Sequence, residues 1–145
     1  MATLNILHVI PTFNDCSITR IVENIVSQLG TSDYSWVILS PEGGEMRAVY
    51  DQLGAKTGLY NYNPETQVKH GKMDSARLIK RYIDENDIHL VHTHTPATTM
   101  LTWFGTGFKP DVKRMYTKHL LTNPGDRQWG WLYTLVDRLS LYQTE

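Results

Sequence analysis

The chain has 145 residues, of which 41% are hydrophobic, and its 14 basic and 15 acidic side chains leave a formal charge of -1 at neutral pH. A chain of this length has the size of one domain with a sizeable core, and nothing in its balanced charge calls for a nucleic-acid partner. The single cysteine, Cys16, excludes an intrachain disulfide and favours a reducing compartment.

The N-terminal residues carry no basic segment ahead of their apolar run, so they are not typical of a signal peptide. No stretch approaches the roughly 18 apolar residues that a membrane-spanning helix needs. We therefore expect a cytoplasmic protein, and the sequence leaves open its attachment to a membrane surface.

Strand and helix patterns alternate along the chain. Short apolar runs predict strands, and apolar residues at helical spacing predict the helices between them. The predicted strands are 4–10, 34–40, 57–62, 90–94 and 114–119, and the predicted helices are 17–29, 45–53, 72–86, 98–104 and 128–142. This alternation predicts right-handed βαβ units and a doubly wound α/β fold with a parallel sheet and helices on both faces.

Ligands of such sheets bind outside the carboxyl ends of the strands, where the strand order reverses. Two histidines, His92 and His94, occupy this position in the sequence VHTHTP at residues 91–96. Side chains two residues apart on a strand share a face, so the two imidazoles are expected to lie side by side. A metal site needs a third ligand, and no aspartate or histidine follows in TPATTM, so we expect no metal here.

The other interpretation is acid–base or hydrogen-bonding chemistry, which we assign first to His94, with His92 as a core histidine that supports it. His119 follows the predicted fifth strand, and it shares the crevice with His94 if the fourth and fifth strands are neighbours. A surface-loop histidine remains the alternative for His119. His8, in the middle of the first strand, is interpreted as a buried, hydrogen-bonded core residue.

The loop PTFNDCSITR leads into the first helix, whose N-terminal amides favour an anion such as phosphate. Alternatively, Asp15 or Ser17 caps this helix in a structural role. The loop has no glycine, which excludes a Walker loop and a dinucleotide-binding fingerprint. Gly43 and Gly44 predict a turn after the second strand.

The segments ILHVIPTFN, RIVENIVSQL, DIHLVHTHTP and YTKHL, in this order, resemble the N-terminal domain of GT-B glycosyltransferases, specifically glycosyltransferase family 4. The resemblance covers about residues 4–140. It implies a Rossmann-like domain of a retaining enzyme that transfers a sugar from a nucleotide-diphosphate donor to an acceptor. It implies no metal and no further cofactor.

The resemblance also assigns the first loop to the phosphates of the donor, through Asn14, Cys16 and Ser17. Members of the family carry a Gly-Gly pair where this chain has Cys16 and Ser17, and many carry an acidic residue where it has Thr19. Glycine permits close backbone approach to a pyrophosphate, so this chain departs from the family at the donor loop.

On the acceptor side, the resemblance implies two catalytic histidines. His119 would contact the acceptor or the transferred sugar near the reacting centre, and His94 would shape the acceptor pocket. Thr117, Lys118 and His92 would contribute to substrate binding.

The family's second domain, which binds most of the nucleotide sugar, has no counterpart in these residues. We therefore expect residues 1–145 to be an acceptor-side domain that is inactive alone. Its expected partners are a nucleotide-sugar donor, a carbohydrate or lipid-linked acceptor and a second domain or chain. The alternative is a non-catalytic carbohydrate- or partner-binding module, for which the aromatic residues Trp129, Trp131 and Tyr133 supply a docking face. A metal-dependent hydrolase is a third hypothesis.

Overall fold

The structure is a computed structural model that describes residues 3–61, 69, 71–107 and 111–119. Strands and helices alternate along the described residues. The strands are β1 (Leu4–Val9), β2 (Tyr34–Ser40), β3 (Lys56–Leu59), β4 (Leu90–Thr93) and β5 (Lys113–Tyr116). The helices are α1 (Ser17–Leu29), α2 (Met46–Gln52), α3 (Lys72–Glu85) and α4 (Pro96–Thr106).

All five strands are parallel and form one sheet in the order β3-β2-β1-β4-β5. The chain runs outward from β1 to β3, then crosses back and places β4 on the other side of β1. The strand order therefore reverses between β1 and β4. This is the Rossmann-like doubly wound fold, and it confirms the α/β class that the sequence predicts.

Each face of the sheet has its own hydrophobic core. On one face α1 and α2 pack against alternate residues of β1 and β2, including Ile6, Ile10, Trp36 and Ile38. On the other face α3 and α4 cover the intervening residues. That second core contains Leu7, Val9, Val37, Leu39, Ile79, Ile83 and Val91. Because side chains alternate across a strand, His8 points to the same face as Ile6 and Ile10.

Several predicted boundaries differ from the observed ones. The sequence extends the fourth and fifth strands to residues 94 and 119, whereas β4 ends at Thr93 and β5 ends at Tyr116. The third strand is predicted over 57–62, whereas the observed β3 is shorter and ends at Leu59. The predicted helix 128–142 lies outside the described residues.

Helix α4 begins two residues earlier than its apolar pattern predicts, because a cap and a proline define its start. The hydroxyl of Thr95 accepts the amide hydrogen of Thr98 at 3.2 Å, and Pro96 occupies the first turn. This cap sets where the chain leaves β4, directly after the second histidine of VHTHTP. Within the described residues, we find no helix long and apolar enough to cross a membrane.

The loops that follow β1 and β2 are in direct backbone contact. The amide of Met46 donates to the carbonyl of Phe13 at 3.0 Å. Gly44 lies so near this loop that an added Cβ would be 2.4 Å from the carbonyl carbon of Phe13 and 2.5 Å from the amide nitrogen of Asn14. Gly44 thus does more than make a turn, since it allows one backbone to pack against another.

We predict that Gly44→Ala destabilises the protein and that Gly43→Ala does not. A methyl group at residue 44 must push two backbones apart, which costs about 1–3 kcal/mol in free energy of unfolding. The neighbouring Gly43 has nothing within 4 Å of an added Cβ, so it is a matched control. Urea unfolding of the two variants measures the difference, and equal stabilities would contradict the packing described for Gly44.

Candidate functional site

The reversal of strand order between β1 and β4 locates the ligand crevice of this fold. The loops that leave these two strands carry the first-loop residues and the histidines of VHTHTP. Because β5 lies beside β4, the residues after β5 reach the same edge of the sheet. Strand order therefore brings together residues that are far apart in sequence.

Three buried imidazoles meet beneath this edge. His8 of β1 and His92 of β4 are register partners, so their side chains project from the same face, and His94 follows two residues later. The ring centroids of His92 and His94 are 4.1 Å apart, and those of His8 and His92 are 4.9 Å apart. Each of the three residues is at most 3% exposed. We call these three residues the histidine cluster.

A hydrogen-bonded row runs from this cluster to His119. Nδ1 of His8 lies 3.2 Å from Nε2 of His94, and Nδ1 of His94 lies 3.0 Å from Nε2 of His119. A neutral imidazole has one N–H and one lone pair, so the donors must all point the same way along the row. With neutral rings, all three histidines therefore carry their proton on Nδ1, or all three carry it on Nε2.

His92 is held separately. Its Nε2 lies 2.7 Å from the hydroxyl of Thr117, and the amide of Thr117 donates to the carbonyl of Thr93 at 3.0 Å. The backbone pairing of β4 with the segment after β5 thus fixes the hydroxyl that orients the His92 ring.

Burial keeps the cluster uncharged. Loss of hydration lowers the pKa of His8 to about 3, with a smaller contribution from His92. Burial also lowers the pKa of His92 to about 4, and that of His94 to about 2, where the neighbouring histidines add to the effect. At neutral pH all three rings are neutral hydrogen-bonding groups, and the acid–base or hydrogen-bonding role of His94 stays a prediction.

The structure brings His94 and His119 together as the sequence predicts, but it places them differently. His94 is completely buried and not at an open crevice mouth, and His119 lies three residues beyond the end of β5 and is half-buried. Thr117 is also half-buried, whereas Lys118 is exposed. Their roles in substrate binding and catalysis remain predictions.

The sequence interpretation assigns His8 to the core and so misses its place in the cluster. The alternation of side chains along one strand places His92 and His94 on the same face, but it gives no information about β1. Finding His8 requires both the strand order and the β1–β4 register, which place it opposite His92. The third imidazole near VHTHTP comes from 84 residues upstream of His92.

The first loop satisfies many of its own polar groups. The amide of Asn14 donates to the hydroxyl of Thr12 at 3.0 Å, and the amide of Cys16 donates to the hydroxyl of Thr19 at 2.9 Å. Cys16 itself occupies the N-cap position of α1, and Ser17 is the first helical residue and exposed. The expectation that Asp15 or Ser17 caps this helix is therefore wrong, because the side chain of Thr19 folds back onto the loop.

Carboxylates surround the same loop. The amide of Asp15 donates to Glu45 at 2.9 Å, and this hydrogen bond holds the pKa of Glu45 below its usual value. Glu42 accepts the hydroxyl of Thr12 at 3.1 Å, and Asp15 forms an ion pair with Arg20 at 2.6 Å. The predicted phosphate loop thus presents negative charge and internally bonded amides to any incoming anion.

Comparison with known proteins gives structural likeness without sequence likeness. No protein-family model matches the chain, and no curated protein does. Among solved structures, a glycosyltransferase from Rickettsia africae aligns with 85% of the chain at a TM-score of 0.66 and 21% identity. Anabaena HepE, in complex with UDP, aligns with 94% of the chain at 0.71 and 9% identity. A UDP-N-acetylglucosamine 2-epimerase aligns with 97% at 0.58 and 11% identity.

At these identities the likenesses establish the fold alone. The chain spans 31%, 36% and 40% of the lengths of these three proteins, so it corresponds to about a third of each. The part they share is the Rossmann-like unit described above.

Because the three rings of the cluster are neutral, we predict that the folded protein loses stability as the pH falls. In the unfolded chain each histidine has a pKa near 6.5, whereas in the folded chain it is well below that value, so the unfolded chain binds protons first as the pH falls. Stability is therefore fully present above about pH 6.5 and is lost toward pH 4, by up to about 1.4 kcal/mol per pH unit for each buried ring. Urea unfolding at pH 7, 6 and 5, with a metal chelator present, measures this loss.

A matched pair of variants assigns the effect to the cluster. His92→Gln should reduce the pH slope by about a third, because it removes one of three titrating rings. His89→Gln replaces an exposed imidazole outside the cluster whose Nδ1 accepts the amide of Asn5, and it should change the slope much less than His92→Gln does. Stability that does not change between pH 7 and 5 would contradict the burial of neutral imidazoles.

Proposed function

We propose that residues 1–145 are the acceptor-side domain of a nucleotide-sugar-dependent glycosyltransferase of the GT-B type, in family 4. The domain transfers a sugar only when a second, donor-binding domain or chain completes the cleft. It acts in the cytoplasm, at the membrane surface where its acceptor is lipid-linked.

Two kinds of observation support this proposal. The order of motifs along the chain resembles family 4, and the fold is shared with a bacterial glycosyltransferase and with a protein solved in complex with UDP. The chain spans about a third of these proteins, which agrees with one part of a larger two-domain arrangement.

The contact between His94 and His119 is the main structural observation in support of this proposal. Their ring nitrogens are 3.0 Å apart, beyond the carboxyl ends of β4 and β5, where this fold binds ligands. His94 is buried and occupies Nε2 of His119, so Nδ1 is the nitrogen of His119 left for a substrate hydroxyl. In this proposal His119 meets the acceptor or the transferred sugar, and His94 sets its orientation and tautomer.

Neighbouring residues complete the acceptor side. Half-buried Thr117 and exposed Lys118 directly precede His119 in sequence. In this proposal they supply a hydroxyl and a cation for polyhydroxylated or anionic substrates. His92, bound to Thr117, supports this segment from below.

The first loop contributes little donor affinity of its own in this proposal. The Asn14 and Cys16 amides have internal acceptors, and Glu42 and Glu45 lie beside the loop. A phosphate bound by Asn14, Cys16 and Ser17 must replace these hydrogen bonds and tolerate the nearby carboxylates. Most of the donor affinity therefore belongs to the second domain.

The test uses the 145-residue chain alone and the same chain joined to the donor-binding domain of a family 4 enzyme. We expect UDP and UDP-sugars to bind the isolated chain weakly, and the fusion to transfer sugar to an acceptor. In the fusion, His119→Ala should lower kcat about 10²–10⁴-fold and leave the donor Kd unchanged, because the donor is held elsewhere.

His89→Ala serves as the control, since this exposed histidine precedes β4 at the opposite end of the strand. Tight donor binding and turnover by the isolated chain would contradict the proposal. Unchanged kcat in the His119→Ala fusion would contradict the role of His119.

A second candidate is a non-catalytic carbohydrate- or partner-binding module. Its support is the exposure of large apolar side chains, since Phe104 of α4 and Met73 of α3 are 68% and 61% exposed. This candidate is favoured if the chain binds glycans or self-associates while every fusion with a donor-binding domain stays inactive.

A further inference from the structure

We propose that His8, His92 and His94 form a binding site for a divalent transition-metal ion of the Zn²⁺ type. The site shares His92 and His94 with the proposed acceptor side, but the inference does not rest on the transferase function, because the ion would lie among buried side chains beneath the strand ends and needs no sugar substrate.

Geometry is the first support. One ring nitrogen from each of the three histidines can be chosen so that all lie within 4.8 Å of one another. Nδ1 of His8 and Nε2 of His94 are 3.2 Å apart. Two nitrogens bound at about 2.0–2.1 Å to a tetrahedral Zn²⁺ are separated by about 3.3 Å. The existing spacing of this pair therefore matches one edge of a zinc site.

The state of the ligands is the second support. Imidazole binds a metal through a lone pair, which only the neutral ring offers, and all three residues are buried, where the neutral ring is the favoured form. His8 is 1% exposed, and its Nε2 has no hydrogen-bond partner among the described residues. With Nε2 of His94 on the ion, binding through either nitrogen of His8 costs only the hydrogen bond between His8 and His94.

Partners outside the cluster are already positioned to orient two of the rings. A metal-bound histidine usually donates its other N–H to a protein acceptor, which fixes its tautomer. With Nε2 of His94 on the ion, Nδ1–H donates to His119. With Nδ1 of His92 on the ion, Nε2–H donates to Thr117. Every ring stays neutral in this rearrangement, so no proton is gained or lost.

The three imidazole ligands determine which class of metal ion the site would bind. Three imidazoles suit Zn²⁺, Co²⁺, Ni²⁺ or Cu²⁺, whereas Mg²⁺ and Ca²⁺ prefer oxygen ligands. Three neutral protein ligands leave the charge of the ion uncompensated and a fourth position open, which water or an anion can occupy.

The test adds Co²⁺ or Zn²⁺ to the metal-free 145-residue chain. We expect one Co²⁺ per chain with the visible absorption of a nitrogen-ligated, low-coordinate site, and a rise in Tm of about 5 °C or more with excess Zn²⁺. Mg²⁺ should produce neither change. An absence of Co²⁺ absorption together with an unchanged Tm would overturn the proposal without any variant.

Variants locate the ion. His8→Asn should weaken Zn²⁺ affinity at least about 100-fold, and Thr117→Val, which keeps all three ligands, should weaken it about 10–100-fold. His89→Asn, outside the cluster, should bind as the wild type does. If His8→Asn fails to fold, Thr117→Val still decides. Full affinity in that variant, or a loss in His89→Asn equal to that in Thr117→Val, would place the ion elsewhere and overturn the proposal.

Discussion

The alignment of His8 with His92 across neighbouring parallel strands determines how the edge of this sheet is built. Two imidazoles in register, with His94 two residues further on, place three ionisable rings in one buried volume. Charged rings this close would repel one another and would lack hydration. The rings are therefore neutral, and His94 bonds through both of its nitrogens, to His8 on one side and to His119 on the other. A neutral ring that bonds in this way donates through one nitrogen and accepts through the other, which gives the row a fixed direction.

The strand order places the histidine cluster at the ligand crevice, and the contacts of the first loop limit what can bind there. Reversal of the strand order between β1 and β4 places the cluster beside the crevice where doubly wound sheets bind ligands. The first loop faces the same crevice, yet its amides bond within the loop and acidic side chains surround it. The histidine side of the crevice is thus better prepared for neutral or hydroxyl-bearing groups than the first loop is for phosphate. This asymmetry is the reason why the proposed function leaves most of the donor affinity to a second domain.

Local patterns in the sequence predict most of the architecture, because each element signals itself. Helix α1 and strand β2 have the predicted bounds, since apolar spacing, Gly30 and Pro41 mark their ends. The bounds of short strands are harder to predict. The fifth strand is predicted too long for a physical reason. The amide of Thr117 still donates to the carbonyl of Thr93, but the side chains of Thr117 and His119 then bond to histidines of the cluster.

The site is only partly predictable. The pairing of His92 with His94 follows from strand parity, and the meeting of His94 with His119 follows once β4 and β5 are adjacent. The participation of His8 and the neutrality of the rings depend on long-range register and burial, which local patterns do not contain. The same limit applies to the cap of α1, where Thr19 folds back onto Cys16 and the loop bonds to itself.

Nitrogen NMR of the imidazole rings at pH 7 is the most direct measurement of the hydrogen-bonded row. Its ring nitrogen shifts and ring-proton couplings distinguish charged imidazolium from each neutral tautomer. In the metal-free chain, His8 and His94 should be neutral and share one tautomer, because the hydrogen bond between Nδ1 of His8 and Nε2 of His94 needs a proton on one ring nitrogen and a lone pair on the other. An imidazolium signal from either ring, or opposite tautomers in the two rings, would contradict the row and the burial that imposes it.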